Sequence, residues 1–311
     1  MLGVVKRKPI LGLLLLVPLL GPVATRKDGA DTNDLVRRAV ANYQRRELLR
    51  NDYTYLARMR WVDSVVRRGP RPHIIDTYEV MFLEGTPYMK HVARDDRPLP
   101  PDMQRFEDAR LEAETKARRA GHGTTPAGLL GHRLGPKTAW TLDHLTDEFF
   151  LRRKGTDVVA GRRVDVIEAV PNKKPDPSTS SQDYARYFKT TLWIDVVELE
   201  IVKAREELIE DGLTLNQPQF SWSIPLNSEN PQISESGMSR MTYLRGNVFI
   251  IQWTKIADGV WLPQKSYSKG KARVARQMAD GQALPIFFIN SDAETTYSGY
   301  KKFVVKTRIT P

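Results

Sequence analysis

The sequence predicts an α+β fold: a curved antiparallel sheet, an incomplete β-barrel, with helices covering the concave face. Three observations predict it. The second half of the chain reads as strand after strand with little helix between them, and parallel pairing would need crossovers. Apolar residues alternate within strands, as in Tyr78, Val80 and Phe82 and again in Phe249, Ile251 and Trp253, so each strand has one apolar face. The helical stretches gather near the N-terminus and in one insertion, where they serve as a cover.

The chain opens with Lys6, Arg7 and Lys8, followed by the apolar run Ile10 to Leu20. Gly21, Pro22, Val23, Ala24 and Thr25 then supply small residues and a helix breaker, which together predict a cleaved export signal over residues 1–24. The run is shorter than the roughly 20 apolar residues that cross a bilayer. The mature chain is therefore expected in the periplasm or secreted, with residues 25–311 as a single half-barrel domain. Cysteine is absent, which excludes disulfides, thiolate nucleophiles, Cys-type zinc sites and a lipid-acceptor thiol.

From Asp31 to Leu49, Leu35, Ala39, Val40 and Tyr43 recur at helical spacing, with Thr32, Asn33 or Asp34 as a cap. Aromatic and β-branched residues then predict strands at Tyr53–Val66, His73–Leu83 and Tyr88–Ala93, the last two joined by Glu84, Gly85, Thr86 and Pro87. Asp102 to Ala120 is dense in Glu, Ala, Arg and Lys without Gly or Pro, and reads as an exposed helix or a lid. Shorter helical regions are expected at Pro126–Leu134 and Leu142–Phe150. Strands resume at Phe149–Lys154, Arg162–Val170, Tyr187–Asp195, Leu199–Ile209, Arg240–Ala257, Trp261–Lys271 and Thr295–Ile309. Pro171–Asp183 and Asn216–Ser239, rich in polar residues and proline, read as long loops.

Motifs for catalysis fail. The sequence has no phosphate loop, no GxGxxG, no HExxH and no GxSxG. Ser266 and Lys269 match an SxxK spacing by chance, on a strand and without companion motifs. His122, His132 and His144 share one insertion but lack the i, i+4 spacing that puts two imidazoles on one helix face; His73 and His91 lie on strands. Neighbouring carboxylates such as Asp95–Asp96 and Glu206–Glu207 point to opposite faces of a strand and do not form an acid–base pair. No cofactor, no metal and no enzymatic activity are expected.

The net charge is +11, of which Lys6, Arg7 and Lys8 contribute three. Export makes nucleic acid a poor partner, and the arginines read as scattered pairs (Arg37–Arg38, Arg45–Arg46, Arg67–Arg68, Arg152–Arg153, Arg162–Arg163) on a solvated surface. Peripheral contact with an anionic membrane remains compatible with that charge.

Several short motifs carry a resemblance. Gly161-Arg-Arg-Val-Asp-Val-Ile, Thr191-Leu-Trp-Ile-Asp195, Leu199-Glu-Ile-Val-Lys203 and Asp258-Gly-Val-Trp-Leu-Pro263 follow one another in order. The series resembles the sheet of outer-membrane lipoprotein-sorting proteins, the LolA/LolB-like superfamily. Tyr297-Ser-Gly-Tyr-Lys-Lys-Phe303 and the Leu83-Glu-Gly-Thr-Pro-Tyr88 hairpin are similar to its secreted bacterial relatives. The resemblance implies a periplasmic half-barrel that binds lipid or the acyl chains of lipoproteins, or an envelope-stress sensor that contacts a membrane-protein partner. It supplies no site residues. Those come from alternation: Trp61, Tyr78, Val80, Phe82, Leu192, Ile194, Phe249, Ile251 and Trp253 are expected to line an apolar hollow between sheet and helices.

Overall fold

A computed structural model describes residues 28–65, 73–120, 142, 145–174, 186–223, 232–278 and 280–303. The export signal, the helical region at Pro126–Leu134, and His122, His132 and His144 lie outside the described residues.

The chain runs helix α1 (Asp28–Arg50), strands β1 (Tyr53–Val65), β2 (Ile74–Leu83), β3 (Thr86–Arg94) and β4 (Arg97–Pro98), then helix α2 (Pro101–Arg119). After the short helix α3 (Leu145–Glu148) come β5 (Phe149–Val159), β6 (Arg162–Pro171), β7 (Phe188–Asp195), β8 (Ile201–Leu208) and β9 (Leu213–Ser223). The series closes with β10 (Gln232–Tyr243), β11 (Val248–Lys255), β12 (Trp261–Met278) and β13 (Ala283–Lys302).

Among the described residues, thirteen strands join one sheet in the order β4-β3-β2-β1-β13-β12-β11-β8-β7-β6-β5, with β10 pairing β12 and β9 pairing β10. Every pairing is antiparallel. The sheet does not close, because β4 and β5 remain as its two ends. This is the expected curved, incomplete barrel. Tight turns set its registers. Glu84 and Gly85 both have positive φ, at 49° and 73°, and so do Ala160 and Gly161, at 49° and 78°. Two residues in the left-handed region form the type I′ hairpin turn, whose twist matches that of the strands it joins.

The two open ends are managed differently. Along β3, α2 satisfies edge groups with side chains: Glu107 accepts the His91 amide, Arg110 donates to the Met89 carbonyl at 2.8 Å, and Arg118 donates to the Thr86 carbonyl at 2.7 Å. So α2 seals an edge and does not cover the concave face. The other edge, β5, carries exposed Arg152, Arg153 and Lys154 and a bulge between Arg153 and Gly155. Charge and a bulge both discourage edge-to-edge pairing.

Four boundaries differ from the sequence reading. Asn216–Ser239, expected as a loop, lies largely within the β9–β10 hairpin, because ladder hydrogen bonds are made by the backbone and tolerate polar side chains. The strand expected at Arg240–Ala257 is two strands, broken at Leu244–Asn247, where Gly246 adopts φ 86°. Strands β12 and β13 are longer than expected and reach beyond β11 to form, with β9 and β10, an arm at one end of the sheet. The helix expected at Leu142–Phe150 ends at Glu148, since Phe149 and Phe150 already pair with β6.

Candidate functional site

One face of the sheet can be followed strand by strand through its register. Val80 lies opposite Tyr55, Tyr78 opposite Ala57, and Ala57 opposite Tyr297. Thr295 lies opposite Ser266, Ser266 opposite Ile251, Ile251 opposite Ala204, Ala204 opposite Leu192 and Leu192 opposite Ile167. Directly opposed residues in antiparallel strands share a face. Helix α1 lies on this one, which is called the inner face below.

All nine predicted lining residues belong to the inner face, in two groups. Leu192, Ile194, Phe249, Ile251 and Trp253 pack with Val36, Ala39, Val40 and Tyr43 of α1. Trp61, Tyr78, Val80 and Phe82 pack with Tyr55, Ala57, Met59, Met89, Tyr297 and Tyr300. The first group is filled: Leu192 and Ile194 are 0% exposed and Trp253 is 2% exposed. Helix α1 covers this group. Trp61, Phe82 and Phe249 are partly exposed.

Between the groups, α1 presents cations inward. Arg46 is 3% exposed and lies over the rings of Tyr43 and Trp253, 4.6 Å from each centroid, while the two rings meet edge to face. Its Nη1 donates to the Ile201 carbonyl at 3.0 Å and meets Glu200 at 3.4 Å. Its Nε and Nη2, like Trp253 Nε1, are buried without a hydrogen-bond partner among the described residues. Burial lowers the Arg46 pKa and raises that of Glu200, each against the pull of the other. One turn on, Arg50 bonds Glu47 at 2.7 Å and lies over the Phe82 ring. Burial also pushes the hydroxyls of Tyr43 and Tyr297 above their usual range. Sequence reading missed Arg46 and Arg50 because arginine was assigned to solvent. The spacing was readable: Val36, Val40, Tyr43, Arg46 and Arg50 continue one helical stripe.

A second buried charge sits at the far end. Asp76 is 1% exposed and accepts from Arg94 Nε at 2.9 Å, His91 Nε2 at 3.0 Å and Trp61 Nε1 at 3.2 Å. His91 Nε2 also faces the Ala93 carbonyl at 2.9 Å, and two acceptors require that this nitrogen carry the proton. Tyr78 stacks on the His91 ring with centroids 5.0 Å apart. Burial alone would raise the Asp76 pKa; the bonds from His91, Arg94 and Trp61 bring it well below the carboxylate range. All three donors converge on Asp76, so the group orients Trp61 and holds β1, β2 and β3 together.

The motif residues converge at a third place, the β7–β8 turn. Asp195 accepts the amides of Val197 and Glu198, both at 2.8 Å, and Arg162 bridges Asp195 at 3.0 Å and Glu198 at 2.9 Å. Glu198 also accepts from Lys255 at 2.9 Å and from Trp261 Nε1 at 3.2 Å, with Arg162 over the Trp261 ring. Asn42 of α1 donates to the carbonyls of Glu198 and Leu199. The motifs thus build the socket into which α1 docks. Burial raises the Asp195 and Glu198 pKa values, but the amides, Arg162 and Lys255 outweigh it and both end below their ordinary values. Carboxylates depressed in the folded state stabilise it above their unfolded pKa of about 4, and that stability fades as pH falls below it. Arg162→Ala is expected to cost about 1–2 kcal/mol in urea unfolding at neutral pH. The deficit should shrink in acid; a deficit that does not change with pH would show that the bridge contributes nothing.

These features define the class: an incomplete antiparallel barrel with helix α1 packed on part of its inner apolar face. No family model matches the sequence, and no curated protein matches it. Similar solved structures include an outer membrane lipoprotein-sorting protein domain from Vibrio parahaemolyticus, 10% identical with a TM-score of 0.30 over 88% of this chain and 95% of that one. A DUF1329 family protein from Desulfovibrio piger is 11% identical with a TM-score of 0.29 over 90% of this chain and 95% of that one. A LolA superfamily protein from Nitrosomonas europaea is 8% identical with a TM-score of 0.22 over 90% of this chain and 97% of that one.

Proposed function

We propose that the chain is a non-catalytic binding protein of the bacterial envelope, exported by residues 1–24, which takes an acyl chain of a lipid or lipoprotein on its inner face. The ligand replaces α1 against Leu192, Ile194, Phe249, Ile251 and Trp253, and extends toward Trp61, Tyr78, Val80 and Phe82. One observation carries the reading: α1 closes an apolar face with Arg46, whose buried Nε and Nη2 lack hydrogen-bond partners among the described residues. An unsatisfied buried polar group costs about 1–3 kcal/mol, so this cover holds less firmly than its apolar contacts alone imply. A flexible acyl chain brings no such groups and gains roughly 25 cal/mol per Å² of apolar area buried.

The test is a titration of the mature protein with a fluorescent fatty acid, read by energy transfer from tryptophan, with mass spectrometry of species that co-purify. Saturable binding with an acyl species in the purified protein is the expected result. Failure of both, in the parent and in an Arg46→Ala variant, overturns the reading. A stable envelope protein recovered with lipid-free chain would favour an interaction or sensor role instead.

A further inference from the structure

We propose that the outer face of β12 is a docking surface for an anionic phospholipid bilayer. Lys265, Tyr267, Lys269, Lys271 and Arg273 occupy alternate positions of this strand, and all but Tyr267 are exposed. Successive strand side chains point to opposite faces, so this period of two gathers them on one side. Ser266, between the first two, belongs to the inner face through its pairing with Ile251, so the ladder points away from α1. What reads in one dimension as dispersed charge is a continuous basic row.

Its neighbours reinforce it. Arg60 of β1 lies on the same face beyond β13, opposite Glu294. Glu294 and Asp292 are the carboxylates that the neighbouring stretch of β13 turns to this face, opposite Tyr267 and Lys269, and Tyr267 donates to Asp292 at 3.4 Å. Lys269 and Lys271 border an open depression of about 430 Å³, whose lining also includes Arg245, Val62 and Asn290. Toward the tip of the arm, Phe288 lies opposite Arg273 and is 47% exposed, and Ile286 two residues away is 57% exposed.

The shape favours a surface over a small anion. From Lys265 to Arg273 the row spans roughly 26 Å at about 3.3 Å per residue. A row that long meets several headgroups at once, whereas one phosphate would satisfy two or three of its cations. Exposed Phe288 and Ile286 beside Arg273 suit the boundary between headgroups and acyl chains, where apolar side chains leave water while cations stay at the phosphates. Docking by the outer face leaves the inner face and α1 unobstructed, so the proposal stands apart from acyl binding.

Vesicle flotation of the mature chain tests it, with phosphatidylcholine alone and with added phosphatidylglycerol, at low and high salt. Binding is expected only with phosphatidylglycerol and only at low salt. The Lys269→Gln/Lys271→Gln/Arg273→Gln variant should bind about a hundredfold more weakly, from three charges lost near the surface. Arg37→Gln/Arg38→Gln, on the solvent side of α1, should bind as the parent does. These side chains are exposed, so both variants should fold; circular dichroism and retained fatty-acid binding check that separately. Undiminished binding by the triple variant overturns the proposal, as does equal binding to neutral vesicles. Capture by heparin without capture by vesicles also overturns it, because the partner would then be a soluble polyanion.

Discussion

Replacing Asp76 with alanine should destabilise the protein by about 3 kcal/mol or more, the range for removing one partner from a buried charged network. The carboxylate is almost completely buried and receives three donors from three places in the sheet: Trp61 on β1, His91 on β3, and Arg94 at the end of β3. Without it, Trp61 loses the carboxylate and buried His91 keeps only the Ala93 carbonyl, while half-exposed Arg94 turns to water. Asp76→Asn keeps an oxygen acceptor but drops the charge, and should fall between parent and alanine variant. The pH dependence separates charge from packing. Because Asp76 is depressed in the folded protein, its contribution is complete above the unfolded value of about 3.9 and declines as pH falls below it. Urea midpoints for parent and Asp76→Ala should therefore converge from neutral pH toward pH 3. Parallel curves would mean that the carboxylate acts by shape alone.

The inner face was legible because alternation survives one-dimensional reading. Tyr78, Val80 and Phe82 lie on the same side as Phe249, Ile251 and Trp253, although β2 and β11 are separated in the sheet by β1, β13 and β12. What stayed hidden was charge used against habit. Arg46 and Arg50 continue the apolar stripe of α1, and assigning arginine to solvent ended that stripe at Tyr43. Lys265, Lys269, Lys271 and Arg273 drew no attention as a row, though their spacing of two and four is in the sequence. The β9–β10 hairpin was hidden for a different reason: its pairing rests on backbone groups that no side-chain pattern announces. Filling of the inner face by α1 could not be read either, since the Asn42 and Arg46 bonds that seat it cross more than 150 residues.

Arg46→Ala should cost about 3 kcal/mol and should loosen α1 more than it loosens the sheet. The change empties the slot over the Tyr43 and Trp253 rings and leaves Glu200 and the Ile201 carbonyl without their guanidinium. Hydrogen exchange should localise the loss to α1 amides, with β1, β12 and β13 protected as before. Arg46→Met supplies the control, because an unbranched apolar chain refills the slot without a charge. If packing holds the helix, methionine retains most of the stability; if the polar contacts hold it, methionine falls as far as alanine. Acyl binding then follows by population shift. A ligand that needs α1 displaced binds with an apparent affinity reduced by the scarcity of the open state. Weakening the cover by about 3 kcal/mol raises that population on the order of a hundredfold, until the open state dominates. Arg46→Ala should therefore be less stable yet bind fatty acid more tightly. Lower stability with unchanged affinity would make α1 a permanent part of the core, and the acyl site would have to lie elsewhere.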